Sequence, residues 1–191
     1  MYTREWLVES AQYYRQLNFF EEYSHLSDDE LADQLILLRE QETGGMCELF
    51  HNRDDWVIVE LDKKRALSAA TDILYAEEPP GYDFQGYVTT LQNLAAISRS
   101  IFLPQGITEA SIGSIEFILN DKRYTLVPDG PPDDTLILAG QINPMVLETG
   151  YQFEQWDLSP GVILVVLNSE EKRRLAEEKG WRFLHDRWMF G

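Results

Sequence analysis

The 191-residue chain is poor in cysteine and in basic residues, and it has no long apolar run. Its one cysteine, Cys47, excludes an intramolecular disulfide and favours a reducing compartment. No apolar run approaches the roughly 18–20 residues that a membrane-spanning helix needs. The first residues, from Met1 to Glu9, also lack the apolar segment of a signal peptide. We therefore expect a cytoplasmic protein that does not bind a membrane.

Histidine is scarce as well, which limits the metal and catalytic sites that the chain can form. The histidines are His25, His51 and His185. Cys47 lies four residues before His51, but no second cysteine or histidine is near, whereas tetrahedral zinc needs three or four such ligands. Nucleotide-binding glycine loops and the common hydrolase motifs are absent too. We predict no metal, no cofactor and no catalytic residues.

Acidic residues dominate the charge. The formal net charge is −17 and the isoelectric point is about 4.4. Residues 1–55 carry 13 acidic and four basic side chains, residues 56–110 carry seven and four, and residues 111–191 carry 13 and eight. A field of this sign repels a phosphate backbone, so we expect no nucleic-acid partner. It would accelerate encounter with a basic protein, although net charge also serves solubility alone.

The clearest pattern for the fold lies between residues 114 and 167. Ile115–Leu119 alternates apolar and polar residues, a polar turn follows, and Tyr124–Val127 resumes the pattern, which predicts a hairpin. Tyr151–Asp157 and Val162–Leu167 read as two further strands. We predict an α+β fold in which an antiparallel sheet has helices packed mainly on one face, with an αββ-αββ-like core and an N-terminal helical extension.

Helical spacing and capping residues predict the remaining elements. The expected helices are residues 2–24, a helix capped by Ser27 and Glu30 and ended by Gly44, Asp62–Ala76, Tyr87–Phe102, Asp134–Thr149, and a last helix from Asn168 to Gly180. A buried strand is expected at Trp56–Leu61. Pro144 either kinks its helix or follows an N-cap at Asn143. Trp181 is expected to fold back onto Leu175.

A proline-rich loop at Glu77–Asp83 is the best candidate for a boundary. It separates residues 1–83, a helical and αβ portion packed on the core, from residues 84–191, the α+β core. We expect one compact unit.

Acidic charge without a recognisable catalytic motif favours a non-catalytic protein-binding domain. In general character the chain is similar to bacterial immunity proteins that neutralise toxins; the similarity is of class and covers no specific stretch. It implies an immunity-type or adaptor-type protein with a basic partner. The predicted contact residues, which loops and strand ends present, are Asp54, Asp55, Glu77, Glu78, Tyr82, Asp83, Trp156 and Asp157.

Two alternatives remain open. The first is an enzyme or small-ligand-binding protein whose site is assembled from distant residues, for instance His185 with Asp186 or Cys47 with His51. The second is a structural subunit, in which the aromatic residues of the first helix and of the tail after Trp181 bury a homodimer face.

Overall fold

A computed structural model describes residues 3–44, 55–69, 83–111, 113–128, 135–158 and 161–184. The chain forms two compact units, Met1–Ala66 and Leu67–Gly191. The predicted boundary falls at residues 77–83, of which only Asp83 is described.

In chain order the elements are α1 (Arg4–Gln16), a 3-10 helix (Glu21–Tyr23), α2 (Asp28–Thr43), α3 (Asp55–Glu60), β1 (Ala66–Ala69), α4 (Phe84–Ile97), β2 (Gln105–Ser111), β3 (Ser114–Leu119), β4 (Lys122–Leu126), α5 (Thr135–Val146), a second 3-10 helix (Leu147–Thr149), β5 (Tyr151–Asp157), β6 (Val162–Asn168) and α6 (Ser169–Lys179). The α+β class is confirmed.

The first helix of the first unit, α1, follows the predicted apolar spacing. Thr3 caps it by accepting the backbone N–H of Trp6 at 3.2 Å. Leu7, Ala11 and Tyr14 recur every three or four residues and are fully buried. The helix ends at Gln16, well before the predicted end at residue 24, because the backbone turns sharply there.

The predicted capping box starts α2. The Glu30 N–H donates to the Ser27 hydroxyl at 3.3 Å, and the Ser27 N–H donates to the Glu30 carboxylate at 2.7 Å. Leu31 and Leu35 form the buried face of the helix. Gly44 adopts a φ of 59° and ends it. The predicted cap and the predicted end of this helix are confirmed.

Two predictions for the next segment are wrong. Trp56–Leu61 was expected to be a strand, but Asp55–Glu60 is the helix α3, in which Val57, Ile58 and Val59 are all buried. A short apolar run fits a helix buried on every side as well as it fits a buried strand. The helix expected at Asp62–Ala76 is also absent from its described part, since Ala66–Ala69 form the strand β1. Residues 70–76 lie outside the described residues.

The second unit contains the predicted hairpin. Strands β3 and β4 pair antiparallel, with Ile115 opposite Leu126 and Leu119 opposite Lys122. The two turn residues, Asn120 and Asp121, both have positive φ, as a tight two-residue hairpin requires. The structure adds an exposed edge strand, β2, to give a sheet in the order β2-β3-β4.

A second sheet has the order β1-β6-β5, so the strands form two sheets instead of one. Strands β5 and β6 pair antiparallel from Tyr151 opposite Asn168 to Asp157 opposite Val162. Residues 162–167 of β6 are buried on both faces. Phe153 belongs to the same core as the buried side of α5, whereas Lys172 of α6 reaches Glu154, which points to the opposite face.

The core of the second unit joins both sheets to α4 and α5. Its buried members are Tyr87, Leu91, Leu94, Ile97, Phe102, Ile115, Phe117, Leu119, Leu126, Leu138, Ala139, Ile142, Val146, Phe153, Leu164 and Val166. Helix α5 runs through Pro144, so no new helix starts at Asn143. After α6, Gly180 has a φ of 69° and the Trp181 N–H donates to the Leu175 carbonyl at 3.2 Å, which confirms the predicted helix end.

Candidate functional site

A turn with unusual backbone conformation follows α1 in the first unit. Asn18 has a φ of 58° and Phe20 a φ of 60°. Left-handed backbone costs a residue with a side chain about 1–2 kcal/mol, and a bulky residue such as phenylalanine rarely adopts it. Surrounding contacts must therefore hold this turn in place.

Two buried charged side chains supply those contacts. The carboxylate of Asp62 accepts the backbone N–H of Phe20 at 2.7 Å and that of Lys64 at 3.2 Å. Arg65 donates to the Leu17 carbonyl. Asp62 and Arg65 are only 1% and 2% exposed. They fix the two ends of the turn between Leu17 and Phe20.

Aromatic packing completes the support of the turn. The guanidinium of Arg65 lies 4.0 Å from the ring centroid of Phe19. Phe19 meets Tyr14 edge to face, with the ring centroids 5.4 Å apart. The rings of Tyr14 and Phe19 are buried, so they belong to the core and do not form a surface patch for a partner. Trp6, Tyr13 and Tyr23 are half-buried.

Arg15 anchors the segment that follows the turn. Its guanidinium donates to the carboxylate of Asp28 at 2.8 Å and to the carbonyls of Tyr23 and Leu26 at 2.6 and 2.7 Å. Because the Asp28 carboxylate lies against it, the positive charge of Arg15 is largely compensated.

A small open cavity lies on this framework. Its volume is about 240 Å³, and it is lined by Arg15, Asn18, Phe19, Phe20, Glu21 and Ser24. Glu21 and the adjacent Glu22 are exposed. The phenol of Tyr23 has a raised pKa, because of burial and of the nearby Glu22 carboxylate. Glu21 in the lining and its neighbour Glu22 therefore place negative charge beside the cavity.

Exposed acidic side chains are spread over the helices of the first unit. Its described residues include 13 acidic and six basic side chains. The exposed ones on α1, the 3-10 helix and α2 are Glu5, Glu9, Glu21, Glu22, Asp29, Glu30, Asp33, Glu40 and Glu42. We call this set the acidic surface.

Four of the six described basic side chains of the first unit form ion pairs within the unit. The pairs are Arg4 with Asp29 and Asp33, Arg15 with Asp28, Arg39 with Glu42 and Glu60, and Lys63 with Glu42. Hydrogen bonds to Asp33 and Asp29 raise the pKa of Arg4, and the same arginine lowers the pKa of Asp33. The basic groups thus compensate particular carboxylates and leave the acidic surface with a net negative charge.

The residues predicted from the sequence are not gathered here. Asp55 is half-buried at the start of α3, and Asp83 is exposed just before α4. Asp157 is half-buried at the end of β5, where its N–H donates to the Arg182 carbonyl at 2.8 Å. The other predicted residues, Asp54, Glu77, Glu78 and Tyr82, lie outside the described residues, as do Cys47, His51, His185 and Asp186.

Trp156 is buried, not presented at the surface. Its ring stacks on that of Trp181, with the centroids 3.4 Å apart and the planes 8° from parallel. Trp156 also forms an isolated antiparallel bridge with Phe183, so the described residues after α6 pack against β5. The alternation of Tyr151–Asp157 indicated a strand but not which residues another segment would cover.

Sequence reasoning did not select Arg15, Asn18, Glu21, Ser24, Asp62 or Arg65. The pair Glu21-Glu22 directly after Phe19-Phe20 was the available signal, because acids beside aromatics suit a contact surface. The link between Asp62 and Phe20 spans 42 residues, and no local pattern encodes it.

Within the described ranges, no group of three or more histidine, cysteine or acidic side chains is arranged to hold a metal ion. No described helix is both long enough and apolar enough to cross a membrane. Comparison with models of protein families, with curated protein sequences and with solved structures gives no match.

Proposed function

We propose that the chain is a non-catalytic protein-binding domain of the immunity or adaptor type, which recognises a basic partner through the acidic surface of its first unit. One observation carries the proposal: the exposed charged side chains of α1, the 3-10 helix and α2 are nine carboxylates and a single arginine, Arg4, so this surface keeps a negative field. The single cysteine suits an interaction in a reducing compartment such as the cytoplasm.

The mechanism is electrostatic steering followed by local docking. Complementary charge raises association rates from about 10⁵–10⁶ M⁻¹s⁻¹ towards 10⁸–10⁹ M⁻¹s⁻¹ at low salt. Because screening acts over about 10 Å at 0.1 M ionic strength, the association rate should fall steeply as salt is added. The dissociation rate should depend much less on salt.

Not every residue predicted from the sequence enters this proposal. Asp55 belongs to the same unit as the acidic surface and stays a candidate contact. Asp83 and Asp157 lie in the second unit and stay predictions that the acidic surface does not need. Trp156 is only 6% exposed and is therefore not a contact residue of the proposed interface.

Site-specific photocrosslinking in the source cells tests the proposal. A photoreactive residue at Gln12 or Gln16, both exposed on α1, should capture one discrete protein. The same residue at Thr125, exposed on β4, should not. The double variant Glu21→Lys and Glu22→Lys should abolish capture. The matched double variant Glu109→Lys and Glu148→Lys makes the same change in net charge in the second unit and should leave capture intact.

Three outcomes would overturn the proposal. The first is that no protein is captured at either α1 position. The second is equal loss of capture in both double variants, which would show a dependence on total charge instead of on this surface. The third is capture of a second copy of the chain, because two acidic surfaces repel each other and a homodimer would need a different face.

A further inference from the structure

We infer that the cavity after α1 is the anchor point of the proposed interface and receives one lysine or arginine side chain of the basic partner. This inference rests on the proposed function and adds to it the chemistry of the central contact. Interfaces draw most of their affinity from a few side chains that fill pockets, and arginine is one of the commonest of these.

The size of the cavity selects the class of occupant. Pockets for drug-sized molecules and cofactors span about 300–1,000 Å³. At about 240 Å³ this cavity is smaller and open to solvent, so it suits one long side chain that enters from a partner. The flexible stem of lysine or arginine can follow such a cleft while its charged end stays beside polar groups and water.

The accessible part of the lining is polar. Asn18, Glu21 and Ser24 are exposed and carry side-chain oxygen atoms, whereas Phe19 and Phe20 belong to the lining but are buried. A cationic group has three or more N–H donors to place, and a carboxylate with neutral oxygens beside it suits them.

Charge around the cavity favours a cation over an anion. Glu21 lines the cavity and Glu22 follows it in the chain, and both are exposed, so they would repel a carboxylate or phosphate. Arg15 is the basic residue in the lining, but its guanidinium is held by Asp28 and by the carbonyls of Tyr23 and Leu26. Its two terminal nitrogens thus already have acceptors, whereas its Nε has none among the described residues but is buried. An incoming anion would therefore gain little from the exposed side of this arginine.

The cavity is also preorganised. The Phe19 N–H donates to the Tyr14 carbonyl at 3.0 Å, and the Ser24 N–H donates to the Glu21 carbonyl at 3.1 Å. Asp62 fixes the backbone of Phe20 between them. A partner side chain would therefore enter a formed site and lose less affinity to ordering of the loop.

The experiment titrates the ¹⁵N-labelled full chain with N-acetyl-arginine amide, N-acetyl-lysine amide and N-acetyl-citrulline amide. Citrulline has nearly the shape of arginine but no charge. We expect saturable shifts of the Asn18, Glu21 and Ser24 amides with arginine or lysine, half-complete at about 1–10 mM, the range of a single small fragment. Comparison of the first two probes decides between arginine and lysine.

Variants separate the cavity from the general field. Glu21→Gln should weaken binding of the preferred probe at least about fivefold, a loss of about 1 kcal/mol. Glu109→Gln, an equal charge change at an exposed site of the second unit, should leave binding unchanged. Both residues are exposed, and the spectrum itself reports whether each variant is folded.

Equal binding of citrulline, or shifts spread evenly over the acidic residues, would overturn the inference. A partner captured from α1 whose binding leaves the Asn18, Glu21 and Ser24 amides unmoved would also overturn it, while the proposed function would stand. Conversely, saturable arginine binding in the cavity without any captured partner would retain the site and reject the protein-binding function.

Discussion

The side-chain amide of Asn143 pairs with both backbone hydrogen-bonding groups of Phe153. It accepts the Phe153 N–H at 2.7 Å and donates to the Phe153 carbonyl at 2.9 Å. Phe153 lies on β5, which ends the described sheet order β1-β6-β5. Asn143 therefore takes the place of a further strand beside β5 and fastens α5 to the sheet.

Replacing Asn143 with alanine should lower the free energy of unfolding by about 2 kcal/mol. The substitution leaves an N–H and a carbonyl of Phe153 without this partner, and each unmade buried hydrogen bond costs about 1–3 kcal/mol. Urea unfolding monitored by circular dichroism measures the change. Gln12→Ala, at an exposed position of α1, is the control and should stay within about 0.5 kcal/mol of the parent protein. A similarly small effect for Asn143→Ala would contradict the fastening role.

The two capping boxes show why some of this fold was predictable. The bonds of Ser27 with Glu30, and of Asn168 with Glu171, join residues three apart, so the sequence pattern nearly specifies them. Asn143 looked like the same kind of residue because Pro144 follows it. Its side-chain amide instead forms hydrogen bonds with Phe153, ten residues later. Which partner the amide has depends on the position of β5, which a local sequence pattern does not specify.

The candidate site was less predictable for the same reason. Glu21 and Glu22 are visible in the sequence as acids, but the cavity beside them depends on the left-handed backbone of Phe20. Phenylalanine has no intrinsic preference for that conformation. It is imposed by Asp62, which lies beyond the whole of α2 and α3. Composition could therefore indicate the sign of the surface charge, but not the position of the pocket.

Ser100→Gly should stabilise the protein. Ser100 has a φ of 66° and is exposed, so its side chain contributes little packing. Glycine removes a left-handed backbone cost of about 1–2 kcal/mol and adds about 0.5–1 kcal/mol of unfolded-state entropy. The expected net gain is about 0.5–1 kcal/mol, measured by urea unfolding. Gln12→Gly, inside helix α1, should do the opposite and cost about 1 kcal/mol. A loss of stability in Ser100→Gly would show that the serine side chain has a role of its own.

Lys172→Met should destabilise the second unit by about 3 kcal/mol. The ammonium of Lys172 lies 3.0 Å from the carboxylate of Glu154, whose side chain is 2% exposed. Removing one partner of a buried pair leaves the other charge uncompensated, which costs about 3–5 kcal/mol for a fully buried pair. The side chain of Lys172 is 21% exposed, so we expect a loss at the lower end of this range.

A double variant separates the charge from the packing. In Glu154→Gln with Lys172→Met no charge is buried, so the loss should shrink to less than half of that in Lys172→Met alone. Arg173→Met removes exposed pairs with Glu170 and Glu177 on the same helix and should have little effect. Equal losses in the single and double variants would show that Lys172 acts through packing, for example on the Phe183 ring, 5.0 Å from its ammonium.

The stability contributed by Asp62 should fall as pH rises. Burial raises the pKa of Asp62 and outweighs the opposing effects of the Phe20 and Lys64 N–H groups and of Arg65. A carboxyl with a higher pKa in the folded than in the unfolded protein binds more protons when folded. Its contribution is therefore complete below the unfolded value of about 3.9 and is lost as pH rises through the folded value.

Asp62→Asn isolates this contribution, because asparagine has the shape of aspartate without a titrating proton. Glu30, Asp33 and Glu170 have lowered pKa values, from hydrogen bonds to Ser27, Arg4 and Arg173, so their stabilisation is lost as pH falls. They are present in both proteins and cancel in the difference. The free energy of unfolding of the parent minus that of Asp62→Asn should therefore decrease between pH 4 and pH 7, as measured by urea unfolding at matched ionic strength. A difference that grows over this range would mean that the hydrogen bonds from Phe20 and Lys64 and the charge of Arg65 favour the ionised carboxylate more strongly than burial disfavours it.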